Sequence, residues 1–159
     1  MAPSFPTALQ FGDGRRSQLR ALVAPEVAHQ WVYSLVGNNQ AENPWLDESL
    51  ATFGEGIASG DASDYRNRDI SRRVVGLLGQ PMTYWAGNGG FDRYTEGVYN
   101  QGAAVLLQAR RQAGADHFDT ALRSYIAANA HHITTPADFA HVPTVLDLLT
   151  EAGALPNDR

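Results

Sequence analysis

The sequence predicts a mainly α fold of about six helices, with at most a short N-terminal strand. Three observations carry this expectation. Apolar residues recur at helical spacing over long stretches; capping residues or Pro stand just ahead of several of them; and the 159 residues show no internal repeat, low-complexity segment or inter-domain linker. With 43 % hydrophobic residues, the chain is expected to form one domain, residues 1–159, with a sizeable core.

In chain order, Thr7 to Phe11 is the candidate strand, closed by the turn residues Gly12-Asp13-Gly14. Arg15 to Val36 reads as one long helix. Its Leu19, Leu22, Val23, Val27, Ala28, Trp31, Val32, Leu35 and Val36 leave it apolar on most sides, the pattern of a buried helix. Asn43-Pro44 is a start signal, a capping side chain followed by Pro at the first helical position; the helix behind it is expected to end near Gly60. A third helix is predicted from Ser63 to Leu78, with Asp64/Arg68 and Asp69/Arg73 as i,i+4 pairs on a solvated face. Gln80 to Arg93 reads as loop around Gly87-Asn88-Gly89-Gly90. Helix returns from Thr95 to Ala113 and is stopped by Gly114. Asp116 is the expected cap of the next helix, with Asp119 in its first turn. A last helix starts at Thr135-Pro136, and Pro143 is expected to kink or split it.

Bulk composition narrows the function. The net charge is -5 with no basic run, which argues against a nucleic-acid partner. Cys is absent, so neither a disulfide framework nor a thiolate metal site is available. No apolar run approaches the ~20 residues that span a bilayer. The opening Met1-Ala2-Pro3-Ser4-Phe5-Pro6 lacks the basic start and apolar stretch of a signal peptide. Compartment stays open between the cytoplasm and a fragment of an exported protein.

The chemistry lies in Glu26, His29 and Glu48. Glu26 and His29 are three apart in an otherwise apolar stretch, and eighteen residues separate His29 from Glu48. A lone His on such a helix is ordinarily a core residue bonded to a carbonyl, and a lone Glu ordinarily reaches the surface. Together, two ionisable groups in an apolar helix both need partners. A peptidase zinc wants three protein ligands and one open position for water. Zinc lowers the pKa of that water to roughly 7, and a neighbouring carboxylate takes its proton during attack on the peptide carbonyl.

Leu22-Val23-Ala24-Pro25-Glu26-Val27-Ala28-His29-Gln30-Trp31 and Pro44-Trp45-Leu46-Asp47-Glu48-Ser49-Leu50-Ala51 resemble the aminopeptidase N (membrane alanyl aminopeptidase) family of gluzincin zinc metallopeptidases, whose text is HExxHQW and WLxEGxA. Tyr94 to Gly102 resembles that family's later Tyr block, and the likeness runs from about Phe5 to Phe139. The resemblance implies a thermolysin-like catalytic lobe with zinc held between the first two helices by His29 and Glu48. It implies Glu26 as general base and Tyr99 as hydrogen-bond donor to the oxyanion of the tetrahedral intermediate, with a peptide or protein as substrate. Tyr94 matches a less specific position, where packing is the expected role. Glu55 matches a Glu of the family, and two readings stand for it: support for the site, or an ordinary solvated side chain.

The sequence departs from the pattern in three places. Pro25 stands where the first His of HExxH belongs, and it cannot bind zinc. Within a helix it would also delete the amide hydrogen bond to Ala21, at about 3 kcal/mol or more. The family's β-rich N-terminal domain and its Gly-x-Met-x-Asn amine-binding segment are not in this sequence, so exopeptidase action is not implied. Ser49 replaces a Gly and Gln101 a Lys, which reads as minor. The expectation is a zinc metallopeptidase-like domain that is inactive or badly impaired. The alternatives are a non-catalytic descendant that binds peptide or a partner protein, and a purely structural helical fragment.

Overall fold

The computed structural model describes residues 26–60, 62 and 70–155. The expected strand at Thr7–Phe11, the start of the first helix with Pro25, and Ser63–Asp69 with the Asp64/Arg68 and Asp69/Arg73 pairs lie outside the described residues. Among those described, the fold is mainly α, with one short parallel pairing of two strands. No helix among them is long and apolar enough to cross a membrane.

Residues 26–32 are helical (α1). The helix closes with wide turns, the amides of Ser34 and Val36 donating to the carbonyls of His29 and Trp31, so it ends before Val36 rather than at it. It is not a buried helix. Val27 and Trp31 are 47 % and 51 % exposed, because only the face carrying Ala28, His29 and Val32 turns inward. Counting apolar residues around the axis had overstated the surface that neighbours cover. The chain then forms β1 (Gly37–Asn38), which pairs in parallel with β2 (Ile133–Thr134).

The central element is α2 (Trp45–Ser59), with Trp45, Leu46, Leu50, Ala51 and Phe53 all buried. Its start differs from the expected cap. The Asn43 side chain makes no capping bond; the Asn43 carbonyl accepts from Leu46, and that of Pro44 from Asp47 and Glu48. Gly60 ends α2 in the left-handed conformation.

Residues 70–78 form turns, not the predicted end of a third helix. Gly76 takes φ 76°, and the amides of Leu78 and Gly79 donate to the carbonyls of Ala152 and Gly153 instead of along their own segment. Gln80–Arg93 is in turn not a loop. It holds α3 (Met82–Gly87) and α4 (Gly90–Tyr94), interrupted only at residues 88–89. Trp85 anchors this region: it is 1 % exposed, and its indole N–H donates to the Gln80 carbonyl at 3.0 Å.

Thr95–Asn100 is π-helical and leads without a break into α5 (Gln101–Ala113), which packs along α2. Gly114, at φ 84°, turns the chain into α6 (Ala115–Asn129). Gly114, not Asp116, occupies the cap position, and Asp116 lies in the first turn. Asp119 falls beyond that turn and serves another purpose: its two carboxylate oxygens accept from Arg110 Nε at 2.7 Å and from a terminal guanidinium nitrogen at 2.9 Å. This bidentate clamp locks α5 to α6 across the Gly114 corner.

Thr135 and Asp138 form a capping box at α7 (Pro136–Phe139), and the chain breaks at residues 140–144 before α8 (Val145–Glu151), as Pro143 implied. Phe139 reaches back to the core, edge-on to Trp45 at 5.9 Å and to Tyr125 at 5.1 Å.

Hydrogen bonding to Arg110 lowers the Asp119 pKa below its ordinary 3.8, so the clamp adds stability above that value and loses it as pH falls through the lowered one. Asp119→Asn is expected to cost up to about 1 kcal/mol at neutral pH. Urea denaturation in acid is expected to show the difference from the parent disappearing.

Candidate active-site cleft

The first turn of α2 carries two adjacent carboxylates near the positive end of the helix dipole. They point to opposite edges of one imidazole. His29 Nδ1 lies 2.5 Å from Asp47 Oδ1, and His29 Nε2 lies 3.6 Å from Glu48 Oε2. The first is a hydrogen bond and the second is too long for one, so Nε2 faces Glu48 without bonding to it. Asp47 is 1 % exposed, and its other oxygen accepts from the Gln40 side chain.

Tyr99, from the π-helical segment, completes the group. Its hydroxyl lies beside the Glu48 carboxylate and the Tyr94 hydroxyl, near enough for each to act on the others electrostatically; the two rings meet edge-to-face at 5.4 Å. Burial, then the charge of Glu48, pushes the Tyr99 phenol well above its ordinary range, and the same two causes act on Tyr94. Tyr99 therefore stays a donor at any physiological pH. Burial also raises the carboxyls of Asp47 and Glu48, against the lowering effect of His29 on the one and Tyr99 on the other.

The structure thus joins three of the four residues singled out from sequence: His29, Glu48 and Tyr99. Glu26 stands apart. It is exposed at the start of the described part of α1, and its charge contributes to raising both Asp47 and Glu48, but no hydrogen bond among the described residues ties it to the group. Tyr94 packs against Trp85, Phe91 and Tyr99, as expected, and lies beside Glu48. Glu55 is buried, which removes the solvated reading.

Asp47 was not read as a site residue. The signal was present, a second acid beside Glu48 in Trp45-Leu46-Asp47-Glu48, but motif spacing led past it to Glu48. Which of the two neighbours faces Nδ1 depends on how α1 crosses α2, and spacing carries no record of that.

His29 Nε2 and Glu48 Oε2 suit two positions of a zinc site: an ion about 2.1 Å from each would see them about 120° apart. A third donor is needed. Asp47 is on the far edge of the imidazole, and no group of three His, Cys, Asp or Glu able to hold a metal occurs among the described residues. Pro25 has no donor atom in its side chain. The described residues therefore do not supply the three-ligand zinc centre of a peptidase.

Beside Glu48 opens a cleft of about 450 Å³, walled by Pro44, Met82, Trp85, Ala86, Phe91 and Tyr94. Its lining is mostly apolar, with Glu48 and Gln40 at one side, so an apolar group bound there would sit against a carboxylate and the Tyr94 ring. No protein-family model and no solved structure matches the chain.

Removing the Asp47 carboxylate strands both His29 Nδ1 and Gln40. Asp47→Ala is expected to lower stability by about 1–3 kcal/mol in urea, and the His29 proton is expected to redistribute between the ring nitrogens in ¹⁵N NMR spectra.

Proposed function

We propose that this chain is a zinc metallopeptidase-like domain of the aminopeptidase N type whose hydrolytic centre is impaired, and that peptide binding in the cleft is the capacity it keeps. One observation carries the reading. His29, Glu48 and Tyr99, which come from three separate sequence blocks, gather around the Glu48 carboxylate at the edge of the cleft, while the donor set for a metal stops at two among the described residues.

The residues suit the recognition of a peptide. The Tyr99 phenol, kept protonated by burial and by Glu48, can donate a hydrogen bond to a substrate carbonyl. Glu48 can accept from a peptide N–H or ammonium group. The pocket beside it takes an apolar side chain in a volume within the roughly 300–1,000 Å³ usual for ligand sites. This favours the second reading, a pseudo-peptidase that binds peptide without cutting it, over a purely structural fragment, which leaves the polar group unexplained.

Zinc titration calorimetry on the parent and on Pro25→His tests the reading. Loss of a ligand should exceed the roughly 10–100-fold effect of losing an outer hydrogen-bond partner, so only Pro25→His is expected to bind zinc tightly and to hydrolyse a reporter peptide in a chelator-sensitive way. Tight binding and turnover by the parent would refute impairment. Failure of both proteins to bind zinc would refute the metallopeptidase reading and leave chelator-insensitive peptide binding as the function to measure.

A further inference from the structure

Tyr94 and Tyr99 are five residues apart, and on a regular α-helix residues at that spacing point about 140° away from each other. They nevertheless meet edge-to-face at 5.4 Å, on the side of the helix that faces Glu48. The π-helical turn between them is the reason. The Gln101 amide donates to the Glu96 carbonyl five residues back, and a turn widened to that spacing brings residues five apart onto one face.

Such a turn is rare and needs support from outside itself. Two buried side chains supply it here. Ser49, 0 % exposed, donates its hydroxyl to the Val98 carbonyl at 2.8 Å, and Gln101, 4 % exposed, donates its side-chain amide to the Gly97 carbonyl at 3.2 Å. Both acceptors lie within the wide turn. Close packing backs them: a Cβ on Gly97 would overlap the Trp85 ring, and one on Gly102 would overlap the Ser49 hydroxyl. Ser49 is also the residue next to Glu48, so the group that grips the turn is chained to the carboxylate that Tyr99 must meet.

We propose that Ser49 and Gln101 are positioning residues that hold the Thr95–Asn100 turn in its π-helical register and thereby deliver the Tyr99 hydroxyl to Glu48. The assignment rests on Tyr99 acting beside Glu48 as proposed above.

The test is NMR on the full chain with ¹³C-labelled tyrosine, comparing the parent with a Ser49→Ala/Gln101→Ala double variant. The parent should show a ring-to-ring contact between Tyr94 and Tyr99 and a Tyr99 Cζ signal displaced by the neighbouring carboxylate. In the double variant that contact should be lost and the Tyr99 signal should move. The Tyr125 signal, whose hydroxyl bonds Thr134 Oγ1 at 2.9 Å in a separate part of the core, should stay in place, which distinguishes loss of register from general loosening. Absence of the contact in the parent, or an unchanged Tyr99 signal in the folded double variant, would overturn the proposal. Should the double variant unfold, Gln101→Met, similar in length and shape but without the donor, reads the same two signals under the same criteria. Peptide binding by the same samples separates the two readings: a register lost in the variant but no binding by the parent upholds the positioning role and refutes the peptide-binding function.

Discussion

The first turn of α2 is buried although it is polar, and this constraint organises the rest. Asp47 and Ser49 have essentially no contact with solvent, and Glu48 has little. A buried polar group without a hydrogen bond costs several kcal/mol at most and about one at least, so each of the three must find a partner from another element. Asp47 finds His29 and Gln40, Ser49 finds the Val98 carbonyl, and Glu48 lies beside the Tyr99 hydroxyl. Through these bonds α1, the segment before α2 and the π-helical turn are all referred to one helical turn. The hydrophobic core, with Trp45 and Leu46 beneath and Phe139 edge-on to Trp45, keeps that turn dry.

A chemical consequence follows. An imidazole held between two carboxylates has its Nδ1 committed and its Nε2 turned toward Glu48, the orientation a metal-binding His needs. Burial, with a smaller contribution from neighbouring negative charge, raises Asp47 and Glu48 and keeps Tyr99 protonated. The scaffold that holds this arrangement is built from hydrogen bonds of Asp47, Gln40 and Ser49 among themselves and to neighbouring elements, and needs no metal to hold it.

Two residues that read as minor departures from the resembling text, Ser49 and Gln101, are both buried and both bonded to the same wide turn. Sequence alone presents them as two unrelated exchanges in blocks about fifty residues apart. Only the packing of α5 along α2 brings them to one carbonyl pair, and their chemistry, two donors where the turn exposes two acceptors, becomes legible there.

Local physics was readable along the chain. The extent of α2, the Gly114 corner, the helix start at Thr135-Pro136 and the break at Pro143 depend on side chains within a turn or two of one another, so composition and period determine them. His29, Glu48 and Tyr99 are singled out by motif resemblance, not by local physics. What tertiary structure alone decided has a common cause: partners far apart in sequence. The exposure of Val27 and Trp31 depends on how little of α1 is covered. The turns at residues 70–78 arise because Ala152 and Gly153 take their amide hydrogen bonds, and the helices within Gln80–Arg93 form around a Trp85 that the core has to receive. The role of Asp47 and the π register of Tyr99 depend on the crossing of whole helices, a geometry that neither period nor motif spacing encodes.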